Sequence, residues 1–224
     1  SMWGQVEGQN KIVIAREVLA DMMKDWDENV YLGLSAYGHN SKGDCNDIET
    51  LVKVGAKTED KIVKTVNNIN PKGKTPLTAA VKKAAEELRY TEEAATVILL
   101  SDGKETCNLD PCKVGTSLKE QGVDFTAHVI GFDVKIKDQA GLKCLAENTG
   151  GKFLSADNAN QLGDALAMIA EEVRSGADVL YVIFDKSGER YEKDIRWEIY
   201  ALDEKNEPTG KPLQATIKKK FLKV

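Results

Sequence analysis

Long apolar runs are missing from this chain, and so is any excess of positive charge. No uninterrupted apolar stretch approaches the roughly 18 residues that mark a membrane-spanning helix. The sequence therefore predicts no helical membrane span. Lys and Arg number 31 against 36 Asp and Glu, a formal net charge of -5, which leaves no electrostatic footprint for nucleic acid. Histidine is scarce. His39 and His128 are too few and too separated for a catalytic pair; His128 falls mid-strand and reads as a packed side chain, and His39 reads as solvated in a polar loop. The glycine patterns of a phosphate loop or a dinucleotide fold are absent, as is a nucleophile elbow. No repeat at solenoid spacing occurs. No signal peptide is visible, and with Ser1 directly before Met2 and Trp3 the sequence reads as a fragment at both ends.

What is present is alternation. Val97-Ile98-Leu99-Leu100 is a continuous apolar run that suits a strand buried on both faces. Before it, Lys11–Trp26 has helical spacing of Ala15, Val18, Leu19, Met22 and Trp26. Val30–Tyr37 and a more polar, edge-like Ile48–Val54 read as strands, with the polar loop GHNSKGDCND between them. Thr58 is set to cap a helix through Ile69, and Thr75, with Pro76 at the first helical position, a helix through Leu88. Further on, a helix over Pro111–Gln121 stops at Gly122, and Val123–Phe132 is a strand. A helix over Asp138–Asn148, a short strand at Lys152–Ser155 and a helix over Asn158–Arg174 follow. Such alternation predicts an α/β fold, a doubly wound, mostly parallel sheet with helices on both faces. After Ser175-Gly176-Ala177 the pattern changes. Val179–Phe184 and Ile195–Leu202 are strand-like, Asn206–Gly210 reads as a turn, and Lys218–Lys220 as a solvated edge. The domains expected are 1–175, α/β, and 176–224, the start of a small all-β, sandwich-like domain.

In an open parallel sheet, ligands sit beyond the carboxyl ends of the strands, and Asp102 follows the central apolar run there. Ser1, Thr75 and Asp102 place hydroxyl and carboxylate oxygens at that end, a donor set that suits a hard cation such as Mg²⁺. Each also has a plain structural reading, as chain end, helix cap and turn. Asp44, Asp47 and Glu49 form either an acidic rim or a solvated loop. The cysteines are Cys45, Cys107, Cys112 and Cys144. Their spacing lacks the paired close ligands of a zinc site, and four free buried thiols are the other alternative. Two disulfides are the expectation, Cys45–Cys107 with Cys112–Cys144 first among three connectivities because it ties neighbouring loops. Disulfides imply an extracytoplasmic setting: periplasm, cell surface or secreted.

SMWGQ at the start, GKTPL at Gly73–Leu77 and ILLSDG at Ile98–Gly103 together resemble the three metal-site loops of a von Willebrand factor A (VWA) domain, from Ser1 to about Arg174. The resemblance implies a Rossmann-like fold from a bacterial-type extracytoplasmic protein. It implies a metal-ion-dependent adhesion site with Ser1, Thr75 and Asp102 as ligands, and Mg²⁺ (or Ca²⁺ or Mn²⁺) as the cation. Hydroxyl ligands neutralise little charge, so the cation stays electrophilic and takes a carboxylate from a protein ligand. That is adhesion or ligand capture, not enzymatic turnover. The family's first strand, main metal-site Asp and first Ser would precede Ser1, leaving the site incomplete. Asp178–Gly188, with Asp185 and Ser187, is one segment that could fill the slot of that strand; a hairpin opening the β domain is its other reading. The rivals to a cation-dependent domain are a metal-independent structural or assembly module, and a metal-assisted hydrolase using Asp102, for which no general base stands out.

Overall fold

The computed structural model describes residues 2–27, 30–175, 199–202 and 208–213. The chain divides into two units, Ser1–Ala177 and Asp178–Val224. The larger opens with β1 (Gln5–Val6) and β2 (Gln9–Asn10), an antiparallel hairpin. Glu7 and Gly8 make its turn with φ of 50° and 83°, the left-handed pair that matches strand twist in a two-residue hairpin. Helix α1 (Lys11–Lys24) follows directly. Strands β3 (Leu32–Tyr37) and β4 (Ile48–Gly55) pair antiparallel as a sheet of their own. Next come α2 (Glu59–Val66), α3 (Leu77–Glu87), β5 (Ala94–Ser101), α4 (Pro111–Gln121), β6 (Asp124–Phe132), α5 (Ala140–Asn148), β7 (Phe153–Ala156) and α6 (Ala159–Ser175). Strands β5, β6 and β7 form a parallel sheet in that order.

β6 shows how the sequence builds two layers. Its side chains alternate between faces. Phe125, Ala127 and Val129 pack with Leu77, Val81 and Ala85 of α3, Leu118 of α4 and Leu142 and Leu145 of α5. Ile130 and Phe132 turn the other way, onto Ile14 and Ala15 of α1 and Leu162, Leu166 and Ile169 of α6. Fully burying one such Leu, Ile or Phe stabilises the fold by about 1.5–3 kcal/mol. Helices thus cover both faces, the doubly wound arrangement. A smaller cluster of Met23, Val52, Ile62 and Val66 seats α2 against β4.

The run Val97–Leu100 is less enclosed than its composition predicts. Leu99 is buried, while Val97, Ile98 and Leu100 are half-buried. The reason is topological. β5 is the edge of its sheet, with β6 on one side and no strand of the described residues on the other.

Two helix starts also differ from expectation. Thr58 precedes α2 but does not cap it through its side chain; its hydroxyl donates instead to the Leu32 carbonyl at 2.7 Å. Thr75 does not cap α3, and Pro76 takes the cap position rather than the first turn. At α4 the local rule holds. Asp110 accepts from the Cys112 and Lys113 amides, with Pro111 in the first turn.

In the smaller unit, β8 (Ile199–Leu202) pairs antiparallel with β9 (Pro208–Leu213). Pro208–Gly210, expected in a turn, therefore open a strand, which Pro208 can do at its first position. The segments Val179–Phe184 and Asp178–Gly188 lie outside the described residues.

Candidate functional site

Five segments meet beyond the carboxyl end of β5: residues 2–4, 38–47, 71–76, 102–110 and 133–139. Hydrogen bonds and one disulfide stitch the first four together, and the Lys104–Asp138 ion pair joins the fifth to 102–110. The Trp3 indole N–H donates to the Pro71 carbonyl at 2.8 Å. The Lys72 and Gly73 amides donate to the Gly38 carbonyl at 2.8 and 3.1 Å. Gly38 has φ of +63°, and a Cβ there would strike the Lys74 carbonyl, so the close approach of these two loops requires glycine. The Thr106 amide donates to the Thr75 carbonyl at 3.2 Å, and the Thr75 amide to the Thr106 hydroxyl at 2.8 Å. Cys45–Cys107 closes the group, and Cys112–Cys144 ties α4 to α5. Both disulfides are those expected, and the described residues include no free cysteine.

Glu105 does what Thr75 was expected to do. One carboxylate oxygen accepts from the Thr78 amide at the start of α3 at 2.8 Å, and the other from the Cys107 amide at 2.6 Å. A carboxylate at a helix N-terminus satisfies an orphan donor and complements the macrodipole.

The 38–47 loop is exposed over Asn40–Asp44, as expected, but buried at both ends, at Gly38 and His39 and at Asp47. Asp47 is buried and accepts from the Asn40 and Ser41 amides, both at 2.8 Å. His39 is buried too, with Nδ1 3.8 Å from Asp47 and Nε2 3.2 Å from Glu49. Asp44 accepts from the Asn46 amide. These acids hold the loop's own backbone, a use of short polar side chains that local composition does not reveal.

Of the three metal-site candidates, Ser1 lies outside the described residues. Thr75 and Asp102 sit on the two loops joined through Thr106, and both are half-buried. The carboxylate of Asp102 has a cationic neighbour. Lys11, first residue of α1, is only 5% exposed. Its ammonium lies 3.8 Å from Asp102 Oδ2 and 2.7 Å from Asp133 Oδ2, and donates to the Asp133 carbonyl. Sequence reasoning missed both partners, although each left a signal. Lys11 falls on the face of α1 shared by buried Ile14 and Ala15, three and four residues on. Asp133 follows the last residue of β6 just as Asp102 follows that of β5.

Whether these residues fit a divalent cation can be judged from the charges. Such an ion needs several oxygens at about 2.0–2.6 Å. Among the described residues no group of three or more His, Cys, Asp or Glu could hold one, and Asp102 already faces an ammonium. The described donor set does not fit the metal.

Beside the site is a cleft of about 530 Å³ lined by Leu77, Glu105, Leu109, Asp110, Lys137 and Leu142, among others. Lys104 bridges to Asp138 at its rim at 3.0 Å, and that hydrogen bond holds the Asp138 carboxyl below its usual range. Trp3, Leu109 and Ile136 of this end are exposed by 48%, 42% and 87%.

An α/β sheet with helices on both faces and loops gathered at the carboxyl ends of its strands is an architecture of the Rossmann-like class. Comparison with solved structures narrows this to the VWA fold. A von Willebrand factor type A protein from Catenulispora acidiphila matches 73% of this chain and 38% of its own, with a TM-score of 0.59 and 15% identity. An aerotolerance-related membrane protein from Bacteroides fragilis matches 77% of this chain and 94% of its own, with a TM-score of 0.60 and 15% identity. Proximal thread matrix protein 1 from the mussel byssus, with a zinc-occupied MIDAS motif, matches 71% of this chain and 42% of its own, with a TM-score of 0.51 and 16% identity. No family model matches the sequence. Two uncharacterized Bacillus subtilis proteins are similar in sequence. YwmD is 25% identical over 174 residues, covering 74% of this chain and 78% of that protein. YwmC is 27% identical over 165 residues, covering 70% and 72%.

Proposed function

We propose that this chain is a protein-interaction domain of VWA type, working outside the cytoplasm, which captures a protein partner on the loop end of its sheet and makes or breaks no bond. The observation that carries this is the construction of that end. Residues 2–4, 38–47, 71–76 and 102–110 are locked to one another by hydrogen bonds and by Cys45–Cys107, the Lys104–Asp138 ion pair adds 133–139, and this end exposes Trp3 and Ile136, with Leu109 also lining a cleft. A rigid scaffold presenting apolar anchors on pinned loops loses little conformational entropy on binding, which favours affinity. The paired disulfides support the oxidising location.

The finer, cation-dependent form of this reading assigns Ser1, Thr75 and Asp102 as ligands of Mg²⁺ (or Ca²⁺ or Mn²⁺), which would hold the partner's carboxylate. The zinc-occupied motif of the byssus protein supports it; the ammonium of Lys11 beside Asp102 weighs against it. In that form, a chain extended at its start by an apolar strand and Asp-x-Ser-x binds Mg²⁺ more tightly than this one, because the added carboxylate supplies most of the attraction.

The test is site-specific photo-crosslinking in an envelope or secreted fraction of the source cell. A photoreactive residue at position 109 or 136 should trap a discrete partner, and one at position 123, before the amino end of β6, should not. Equal trapping from both ends would overturn the reading. Repeating the capture in EDTA separates the two forms: loss of the partner supports the cation-dependent one, survival the metal-independent one.

A further inference from the structure

We propose that Lys11 is the resident cation of this site: its buried ammonium, set between Asp102 at the end of β5 and Asp133 at the end of β6, takes the electrostatic place of a divalent metal and keeps one out. The inference concerns the charge at the head of the sheet, and it holds whether or not the loop end captures a protein.

Position makes Lys11 unusual. It is the first residue of α1, where the helix dipole disfavours positive charge. It is also buried, and a buried ammonium requires compensating charge. Both penalties are offset by one arrangement, the 2.7 Å pair with Asp133, the bond to the Asp133 carbonyl and the 3.8 Å approach to Asp102. The backbone supports the geometry. Asp133 takes a left-handed φ of 50°, uncommon for a non-glycine residue, and its amide donates to the Ala156 carbonyl at 2.7 Å, anchoring its turn to β7. The Lys11 amide donates to the Gly4 carbonyl at 2.9 Å, which fixes the root of the lysine stem.

Exclusion follows from size and charge. A divalent ion bound by Asp102 would sit about 2.0–2.6 Å from its oxygen, within contact range of the ammonium that already faces Oδ2. A doubly positive ion and an ammonium at that separation repel in a half-buried site where water screens them weakly. Lys11 is thus a positioning residue. It links the two strand-end carboxylates, and so ties the 102–110 loop to the start of the 133–139 loop without a metal.

The test uses Mg²⁺ as the probe, and Mn²⁺ as its paramagnetic substitute. In the wild-type chain, millimolar Mg²⁺ should leave the melting temperature unchanged and give no saturable heat by calorimetry, and Mn²⁺ should leave the carboxyl ¹³C signals of Asp102 and Asp133 sharp. Saturable Mg²⁺ binding, or Mn²⁺ broadening centred on those two signals, overturns the proposal. Lys11→Met removes the ammonium from beside both carboxylates and should gain Mg²⁺ binding in the weak, about millimolar range of low-charge sites, with a melting temperature that rises with Mg²⁺. Lys11→Arg keeps the charge and should remain insensitive. A folded Lys11→Met that stays blind to Mg²⁺ overturns the claim that the ammonium is what excludes the ion. Should Lys11→Met fail to fold, the wild-type Mn²⁺ spectrum decides alone.

Discussion

The Tyr37 hydroxyl donates to the Leu100 carbonyl at 3.3 Å, and this bond joins the β3–β4 sheet to the β5–β6–β7 sheet. Tyr37 ends β3 and Leu100 stands one residue from the end of β5. No described strand pairs with β5 on the side away from β6, so a carbonyl on this strand takes a side-chain partner. Burial pushes the phenol well above its usual pKa of 10.0, so it remains a neutral O–H donor at physiological pH.

Tyr37→Phe keeps the ring and removes that donor. Leaving a buried carbonyl unpaired costs about 1–3 kcal/mol, and this one is part-buried, so the urea midpoint should fall by an amount at the low end of that range with the slope unchanged. The wild type should also weaken as pH rises above 10, because the unfolded phenol ionises there and the folded one does not; the variant should lack that contribution. An unchanged midpoint would mean that Leu100 has another partner.

Glu105 is expected to matter through α3. Glu105→Ala removes the acceptor for the Thr78 and Cys107 amides together. Loss of a helix cap costs about 0.5–2 kcal/mol, and amide exchange at Thr78 should quicken before global unfolding. Glu105→Gln, which keeps an acceptor but not the charge, should lose less. Thr75→Ala should leave α3 protection near wild type, since its side chain makes no cap.

That contrast shows what a single sequence can and cannot tell. The layered α/β fold was legible because period-two and period-3.6 patterns record which face each element buries, as β6 and α6 do. Asp110 was not singled out as the cap of α4, although it sits directly beside the amides it caps. The cap of α3 was not legible, because Glu105 reaches Thr78 across 27 residues. His39 and Asp47 looked solvated for the same reason: their partners are set by a loop closing on itself. At the site, the strand-end rule pointed to Asp102, but it was not applied to Asp133. Lys11 entered only as the first residue of a predicted helix, since its pairing with two strand ends exists only once those strands lie side by side.

The disulfides predict a redox-dependent stability. Native mass spectrometry without reductant should show two disulfides and no alkylatable thiol, in agreement with Cys45–Cys107 and Cys112–Cys144. Four alkylatable cysteines in the native protein would remove both the covalent loop closure and the argument for an oxidising location. Sequence separations of 62 and 32 correspond to roughly 4 kcal/mol of unfolded-state restriction for each bridge, so reduction should lower the melting temperature by many degrees. The Cys45→Ser, Cys107→Ser pair should loosen the 38–47 and 102–110 loops most, which hydrogen exchange at the Asn40, Ser41 and Thr106 amides would report.

The remaining prediction concerns acid. His128 is buried mid-strand in β6, and its Nδ1 accepts from the Lys152 amide at 3.2 Å. An accepting Nδ1 carries no proton, so a charged imidazole must give up this bond. Burial lowers the His128 pKa below 6.5; nearby Glu172 raises it and Lys152 lowers it, and those two side chains pair with each other at 2.9 Å. The sign follows from proton counts. Between the lowered folded value and 6.5, the unfolded chain binds a proton at this site that the folded chain refuses, so stability rises with pH in that window. The contribution is fully present above 6.5 and is lost progressively as pH falls below it, with a limiting slope of about 1.4 kcal/mol per pH unit for a single group. Urea titrations at pH 7.5, 6.5, 5.5 and 4.5, roughly spanning the imidazole range, should show this loss in the wild type and less of it in His128→Gln, which has no titrating ring. The difference between the two curves isolates His128 from every other acid-sensitive group. Parallel curves would mean that the ring takes up its proton in the folded state as readily as in the unfolded one, and that the bond to Lys152 does not hold it neutral.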